Sequence, residues 1–142
     1  MPDHPPYSVL VVDDDDVAAE AVARGMRKHA LQCQIVTAED GVVALQILRG
    51  EHPTLHISKP HLVLLDLNMP RMSGLEFLRA LRADDRLRAT VVFVLSTSDS
   101  GADRAGAYRE CVAGYLVKSG LGPQLRGLAR LLTEYRESVL LP

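Results

Sequence analysis

Short apolar runs in this chain end in residues able to do chemistry. Residues 9–12 run into Asp13 and Asp14, 62–65 into Asp66, 91–95 into Ser96, and 115–117 into Lys118. Laid side by side, these ends deliver three carboxylates, one hydroxyl and one ammonium to a common rim. Each carboxylate pair at about 4 Å would cost about 4 kcal/mol at an effective dielectric of about 20. Such a cluster persists where a cation neutralises it or where protons are retained. Oxygen-only ligation, with no His or Cys close by, points to a hard cation, Mg2+ or Mn2+, rather than Zn2+. A rim so charged is prepared for a phosphate-like anion, with Lys118 as point charge and Ser96 as donor. An aspartate there can be a nucleophile that accepts a phosphoryl group.

Each piece also has a plainer explanation. Residues 13–16 are all Asp, and acids favour helix N-termini. Asp15 and Asp16 are assigned to such a turn, with Asp16 as N-cap before Val17. Asp13 and Asp14 alone would be evenly balanced between cap and site. The Ser96-Thr97-Ser98 segment could be ordinary turn chemistry. What distinguishes the set is its joint occurrence, in order, at four run ends; the remaining run, 34–38, ends in Ala38 and Glu39 with no evident partner.

Runs this short and apolar suit strands buried on both faces, as in a parallel sheet covered by helices. Between them lie stretches with helical spacing. Residues 17–30 carry Ala18, Ala21, Val22, Gly25 and Met26 on one stripe. Asp40 caps a stretch with Val43, Ala44, Ile47 and Leu48, and Ser73 caps one with Leu75, Leu78, Ala80 and Leu81. Residues 100–110 form a weaker helix, because Gly101 and Gly106 each cost about 1 kcal/mol relative to Ala. The last helix is expected from Leu121 through Tyr135. Five strand–helix pairs in strict alternation predict an α/β fold: a doubly wound, flavodoxin-like (βα)5 parallel sheet. In such a sheet ligands bind outside the carboxyl ends of the strands. The connection from Gly50 to His61 exceeds the usual few-residue loop and is expected as a surface excursion, its His52, His56 and His61 solvated rather than ligating.

The chain has 142 residues and a formal net charge of −2, which suits one domain and argues against a nucleic-acid binder. No apolar run approaches the roughly 18 residues that span a bilayer, and the N-terminus lacks a signal peptide's basic and apolar parts. Cys33 and Cys111 are too few for a disulfide scaffold, so a cytoplasmic location is expected.

Taken together, Leu10-Val11-Val12-Asp13-Asp14, Leu64-Leu65-Asp66-Leu67-Asn68-Met69-Pro70 with Gly74, Val94-Leu95-Ser96 and Gly114-Tyr115-Leu116-Val117-Lys118 resemble the receiver domain of two-component response regulators. The resemblance covers about residues 7–132, nearly the whole chain. It implies strand order 2-1-3-4-5, Asp66 as phosphoacceptor, and Mg2+ or Mn2+ held by Asp14, Asp66 and the Asn68 backbone carbonyl, with Asp13 acting through water. Ser96 matches the hydroxyl that moves toward the phosphoryl group, Lys118 the cation paired with it, and Tyr115 the aromatic that switches with the hydroxyl. Asn68 and Ser98 match positions that tune the phosphorylated lifetime. The donor implied is a histidine kinase phosphohistidine, and the face of the fourth helix, fifth strand and fifth helix would report phosphorylation.

The chain departs from the commonest family pattern at three places. Ser119 follows Lys118 where most receivers have a cis proline, which leaves the isomer of that bond open; a non-proline cis bond costs about 3–4 kcal/mol. Ser96 stands for Thr, and Thr97 for a smaller residue that leaves wider access to Asp66. The long loop, the Lys118-Ser119 pair and the Leu-Pro ending resemble single-domain regulators associated with phytochrome-type histidine kinases. A single domain over 1–142 is expected, with its core at 7–135 and an apolar tail at 136–142. Val139, Leu140 and Leu141 exposed together would favour a homodimer contact beside the reporting face. Three other readings stay open: a carrier in a multistep phosphorelay, a Mg-dependent phosphatase with an aspartyl nucleophile, and a flavodoxin-like nucleotide binder. The phosphatase needs a second acid where Asn68 stands, and residues 13–16 would repel a bound phosphate.

Overall fold

The structure, a computed structural model, describes residues 7–28, 33–69, 71–97 and 100–142. Strands and helices alternate: β1 Ser8–Val12, α1 Asp16–Lys28, β2 Gln34–Ala38, α2 Gly41–Arg49, β3 His61–Leu65, α3 Gly74–Ala83, β4 Val91–Ser96, α4 Gly101–Arg109, β5 Gly114–Val117 and α5 Arg126–Ser138. The five strands form one parallel sheet in the order β2-β1-β3-β4-β5. This is the doubly wound architecture expected from the alternation. Among the described residues, no helix is long and apolar enough to cross a membrane.

Each central strand is apolar throughout because it is covered twice. Leu10, Val12, Val63, Leu65, Val92 and Val94 face a core shared with α2 and α3. Val9, Val11, Leu62, Leu64, Phe93 and Leu95 face a second core with α1 and α5. Full burial of such side chains stabilises by roughly 1.5–3 kcal/mol each, so the layered sheet is the rigid base of whatever lies on its rim. Parallel register then aligns the strand ends. Val12 pairs with both Ala38 and Leu65, Leu65 with Val94, and Ser96 with Val117.

Three helix starts fall where the sequence places them. Asp40 accepts the Val43 N–H, Ser73 that of Glu76 and Ser100 that of Asp103. Others are corrected. The cap of α1 is Asp15, whose carboxylate takes the N–H groups of Val17 and Ala18, while Asp16 is already helical. Its buried stripe is Ala19, Val22, Ala23, Gly25 and Met26; Ala18 is half-buried and Ala21 exposed, because the face toward the sheet follows the 19, 22, 23, 26 spacing, one step from the expected stripe. The expected end of α1 at residue 30 falls outside the described residues. The last helix begins at Arg126 rather than Leu121. Two 3-10 turns, Lys118–Gly120 and Pro123–Leu125, intervene. Gln124 and Leu125 have positive φ, a conformation a right-handed helix cannot pass through.

The Gly50–His61 connection is only partly an excursion. Ile57 packs on the core, and the His52 imidazole accepts the N–H groups of Thr54 and Leu55. His61 is the first residue of β3, not a loop residue. The apolar tail also divides. Leu140 is exposed, but Leu141 packs on the α1–α5 core, so the three tail residues are not exposed together. The Lys118–Ser119 bond is trans; the cis bond among the described residues is Lys59–Pro60.

Candidate functional site

The register of the sheet assembles the rim. Asp13 and Asp66 each follow a member of the Val12–Leu65 pair, and the Asp66 N–H donates to the Val12 carbonyl at 2.9 Å. The loops after β1 and β3 therefore start level with each other. Asp13, Asp14 and Asp66 each offer a carboxylate oxygen within 4.8 Å of the others. Lys118, leaving β5, places its Nζ 3.7 Å from Asp13 Oδ2. Ser96, the last residue of β4, is fully buried, and Tyr115 packs against the α2–α3 core. The structure thus gathers the acid trio and the ammonium, with the hydroxyl on the strand between Asp66 and Lys118.

The three acids differ in surroundings. Asp13 is buried; one oxygen takes the Asp15 N–H at 2.9 Å and the other faces Lys118. Asp14 is exposed. Asp66 is half-buried and takes the Asn68 N–H at 3.1 Å. Burial raises the Asp66 carboxyl most; the Asn68 N–H and Lys118 pull it down, Asp13 and Asp14 push it up, and it settles at about 6. Negative charge is therefore left over at the rim despite Lys118. That excess, on hard oxygen donors, fits a divalent cation such as Mg2+ or Mn2+.

The loop after β3 is fixed by close packing. Leu67 and Met69 are buried, and the Gly74 N–H donates to the Leu67 carbonyl at 3.0 Å. A Cβ on Gly74 would lie 2.5 Å from Leu67 Cα and 2.8 Å from the Asp66 carbonyl oxygen. Only glycine lets α3 start so close to the aspartate. Thr97 beyond Ser96 is exposed, whereas Ser98 and Pro70, singled out in the sequence, lie outside the described residues.

Sequence reasoning missed one neighbour. Arg71 pairs with the buried Asp40 and lies 3.9 Å from Glu39. Together with Asp14, these residues line a cavity of about 220 Å3. The Arg71–Asp40 contact joins positions far apart in the chain, and no local pattern announces it. Asp40 was legible as a helix cap, but its second partner was not.

A doubly wound sheet with an acid trio and a lysine at its carboxyl edge defines a class of signalling domain, and comparison with known proteins identifies it. The response regulator receiver domain family matches residues 9–130, and the chain belongs to that family. It is 35% identical over 130 residues to the probable methanogenesis regulatory protein FilR2 of Methanothrix harundinacea (strain 6Ac), covering 92% of this chain and 83% of that one. It is 29% identical over 116 residues to the response regulator Rcp1 of Synechocystis sp., covering 82% and 79%. Among solved structures, it resembles the phosphorylated cyanobacterial phytochrome response regulator RcpA, with a TM-score of 0.83, 30% identity, and coverage of 97% and 99%. The Mn2+-bound form of Rcp1 matches with a TM-score of 0.82, 28% identity, and coverage of 96% and 99%.

Proposed function

We propose that this receiver is a phosphoryl-accepting switch in which Asp66 takes a phosphoryl group from a histidine kinase phosphohistidine. The observation carrying this reading is the trio of Asp13, Asp14 and Asp66 facing Lys118 on one rim. In the transfer, an Asp66 carboxylate oxygen forms a bond to phosphorus as the phosphorus–nitrogen bond to the kinase histidine breaks. The imidazole leaves with the bonding pair and takes up a proton. Asp14, Asp66 and the Asn68 backbone carbonyl would hold Mg2+ or Mn2+, with Asp13 acting through water. The bound ion would supply charge that offsets the phosphoryl oxygens. Lys118 supplies a further positive charge to them, and Ser96 a hydroxyl donor.

Once formed, the phosphoryl group carries nearly two negative charges. It draws the Ser96 hydroxyl, and Tyr115, on the neighbouring strand, responds. The α4–β5–α5 face then changes its contacts. Likeness to RcpA and Rcp1 supports a phytochrome-type kinase as donor. The exposed Tyr108, Val139 and Leu140 support a homodimer through the α4–β5–α5 face and the tail; deletion of residues 138–142 should weaken it in sedimentation. We read residues 1–142 as one such domain, a phosphoacceptor rather than a turnover enzyme, working in the cytoplasm where its two free thiols stay reduced. The test is phosphoryl uptake from a labelled phytochrome-type kinase in Mg2+. Wild type should reach near-equal stoichiometry and Asp66→Asn none. Unchanged uptake by Asp66→Asn would refute the assignment, and sustained hydrolysis of a phosphomonoester would favour the phosphatase instead.

A further inference from the structure

The segment from Asp66 to Gly74 carries the phosphoacceptor and the Asn68 backbone, so what holds it in place bears on the site. Its first half is fastened from within: Leu67 and Met69 are buried, and the Asn68 N–H meets Asp66. Its second half is fastened from outside, by the turn between β2 and α2. Asp40, its side chain only 4% exposed, gives one oxygen to the Val43 N–H and the other to the Arg71 guanidinium. Beside it, Met72 lies over Gly41 so closely that a Cβ there would fall 2.6 Å from the methionine sulfur. The acid is thus fixed by the first turn of α2, while the arginine, 72% exposed, reaches in from the solvent side of the pair.

We infer that Arg71 is a positioning residue: bound to Asp40, it ties the loop after β3 to the start of α2 and keeps the Asn68 backbone beside the acid trio. This rests on the receiver reading of the site. The alternative is that Arg71 acts only as a nearby charge, since it lines one cavity with Asp14, Glu39 and Asp40. The two roles have opposite signs. A guanidinium near the trio repels a bound cation, so deleting a mere charge would tighten cation binding. Deleting a tether would loosen it, as losing outer support for a ligand does.

The experiment is a Mn2+ titration of the full chain, following free Mn2+ by electron paramagnetic resonance, together with hydrogen exchange in the absence of metal. Arg71→Ala should weaken Mn2+ binding by roughly 10-fold and speed exchange at Asn68 and Met69, with the circular dichroism spectrum unchanged. Arg71→Lys should recover part of the affinity, because an ammonium still reaches Asp40 but lacks the planar fork. Asp40→Asn keeps a competent cap and should weaken binding in the same direction, with the double variant no worse than Arg71→Ala alone. Binding by Arg71→Ala as tight as wild type, or tighter, would overturn the inference while leaving the receiver site intact. If wild type showed no Mn2+ binding that Asp14→Ala abolishes, the site reading would fail, and the role of Arg71 with it.

Discussion

Arg82, near the end of α3, offers a direct test of how the proposed reporting face is held. Its Nε donates to the Glu110 carbonyl at 2.7 Å, and Nη1 to those of Arg88 and Thr90 at 2.8 and 2.7 Å. Nη2 donates to the Cys111 carbonyl at 3.1 Å. One side chain therefore joins α3, the approach to β4 and the end of α4. That junction matters because α4 buries only Ala107. Charge-assisted bonds are worth roughly 1.5–3 kcal/mol when desolvated, but water replaces exposed ones readily. Allowing about 1–1.5 kcal/mol for each of the two part-buried bonds and about 0.5 kcal/mol for each exposed one gives about 3–4 kcal/mol for Arg82→Ala. For a domain of this size that is a fall in Tm of about 10–15 °C. Urea unfolding measures the loss, and hydrogen exchange locates it at Ala107 to Cys111. Arg82→Lys should keep under half the stabilisation, since one ammonium cannot span four carbonyls on two segments. A loss for Arg82→Ala below about 1 kcal/mol, the worth of an ordinary surface contact, would refute the reasoning, as would wild-type exchange at the end of α4.

Further outcomes follow from the rim and its supports. Mg2+ at about 100 times its Kd should stabilise the folded chain by about 2.7 kcal/mol, and Asp14→Ala or Asp66→Ala should abolish most of the resulting Tm shift; a full shift in either variant would contradict the ligand set. Gly74→Ala must displace Leu67 Cα or the Asp66 carbonyl, and should cost about 1–3 kcal/mol and slow phosphoryl uptake, both measurable on one preparation. Burial raises the Asp40 carboxyl, but the Val43 N–H and Arg71 outweigh it and hold it below the ordinary range. The unfolded chain therefore takes up that proton first as pH falls. The stability linked to Asp40 is complete above about pH 4 and is lost below it, as pH drops through the folded value. Asp40→Asn should show a shallower acid limb in urea melts from pH 5 to 2; parallel limbs would show that the group contributes nothing.

What the sequence made legible was what repeats or stays local. Strand cores showed as apolar runs because both sheet faces are covered, and Asp40 and Ser73 showed as caps because a cap acts within three residues. Asp13, Asp14, Asp66, Ser96 and Lys118 could be grouped because parallel register converts strand ends into neighbours. Contacts set by the third dimension were not legible. Asp15 displaced Asp16 as cap through the path the chain takes off β1, which composition does not encode in a run of four identical acids. The late start of α5 depends on backbone angles at Gln124 and Leu125, residues with no special turn propensity. Leu141 turned inward because α1 and α5 leave a place for it, and Arg82 and Arg71 found partners 28 and 31 positions away.

The rim and the core beneath it have opposite demands, and the fold meets both by separating them along the strands. Val12, Leu65 and Leu95 are buried and apolar one residue or so before the acids and the hydroxyl begin, so the backbone carrying Asp13 and Asp66 cannot move apart without unpairing strands. Their repulsion is eased only in part: Lys118 and the Asp15 N–H serve Asp13, and the Asn68 N–H serves Asp66. A cluster fully neutralised from within would have no use for a cation, and one with no internal donors would push the loops after β1 and β3 apart. On the proposed reading, the remaining negative imbalance is what a cation would neutralise, and that cation together with Lys118 would then face the phosphoryl oxygens. The same division extends to α4, pinned at its end by Arg82 but contributing one buried side chain. On the proposed reading, a change at Ser96 meets little packing resistance at the start of that helix and firm resistance at its end. The reporting face is then set to tilt rather than to unfold.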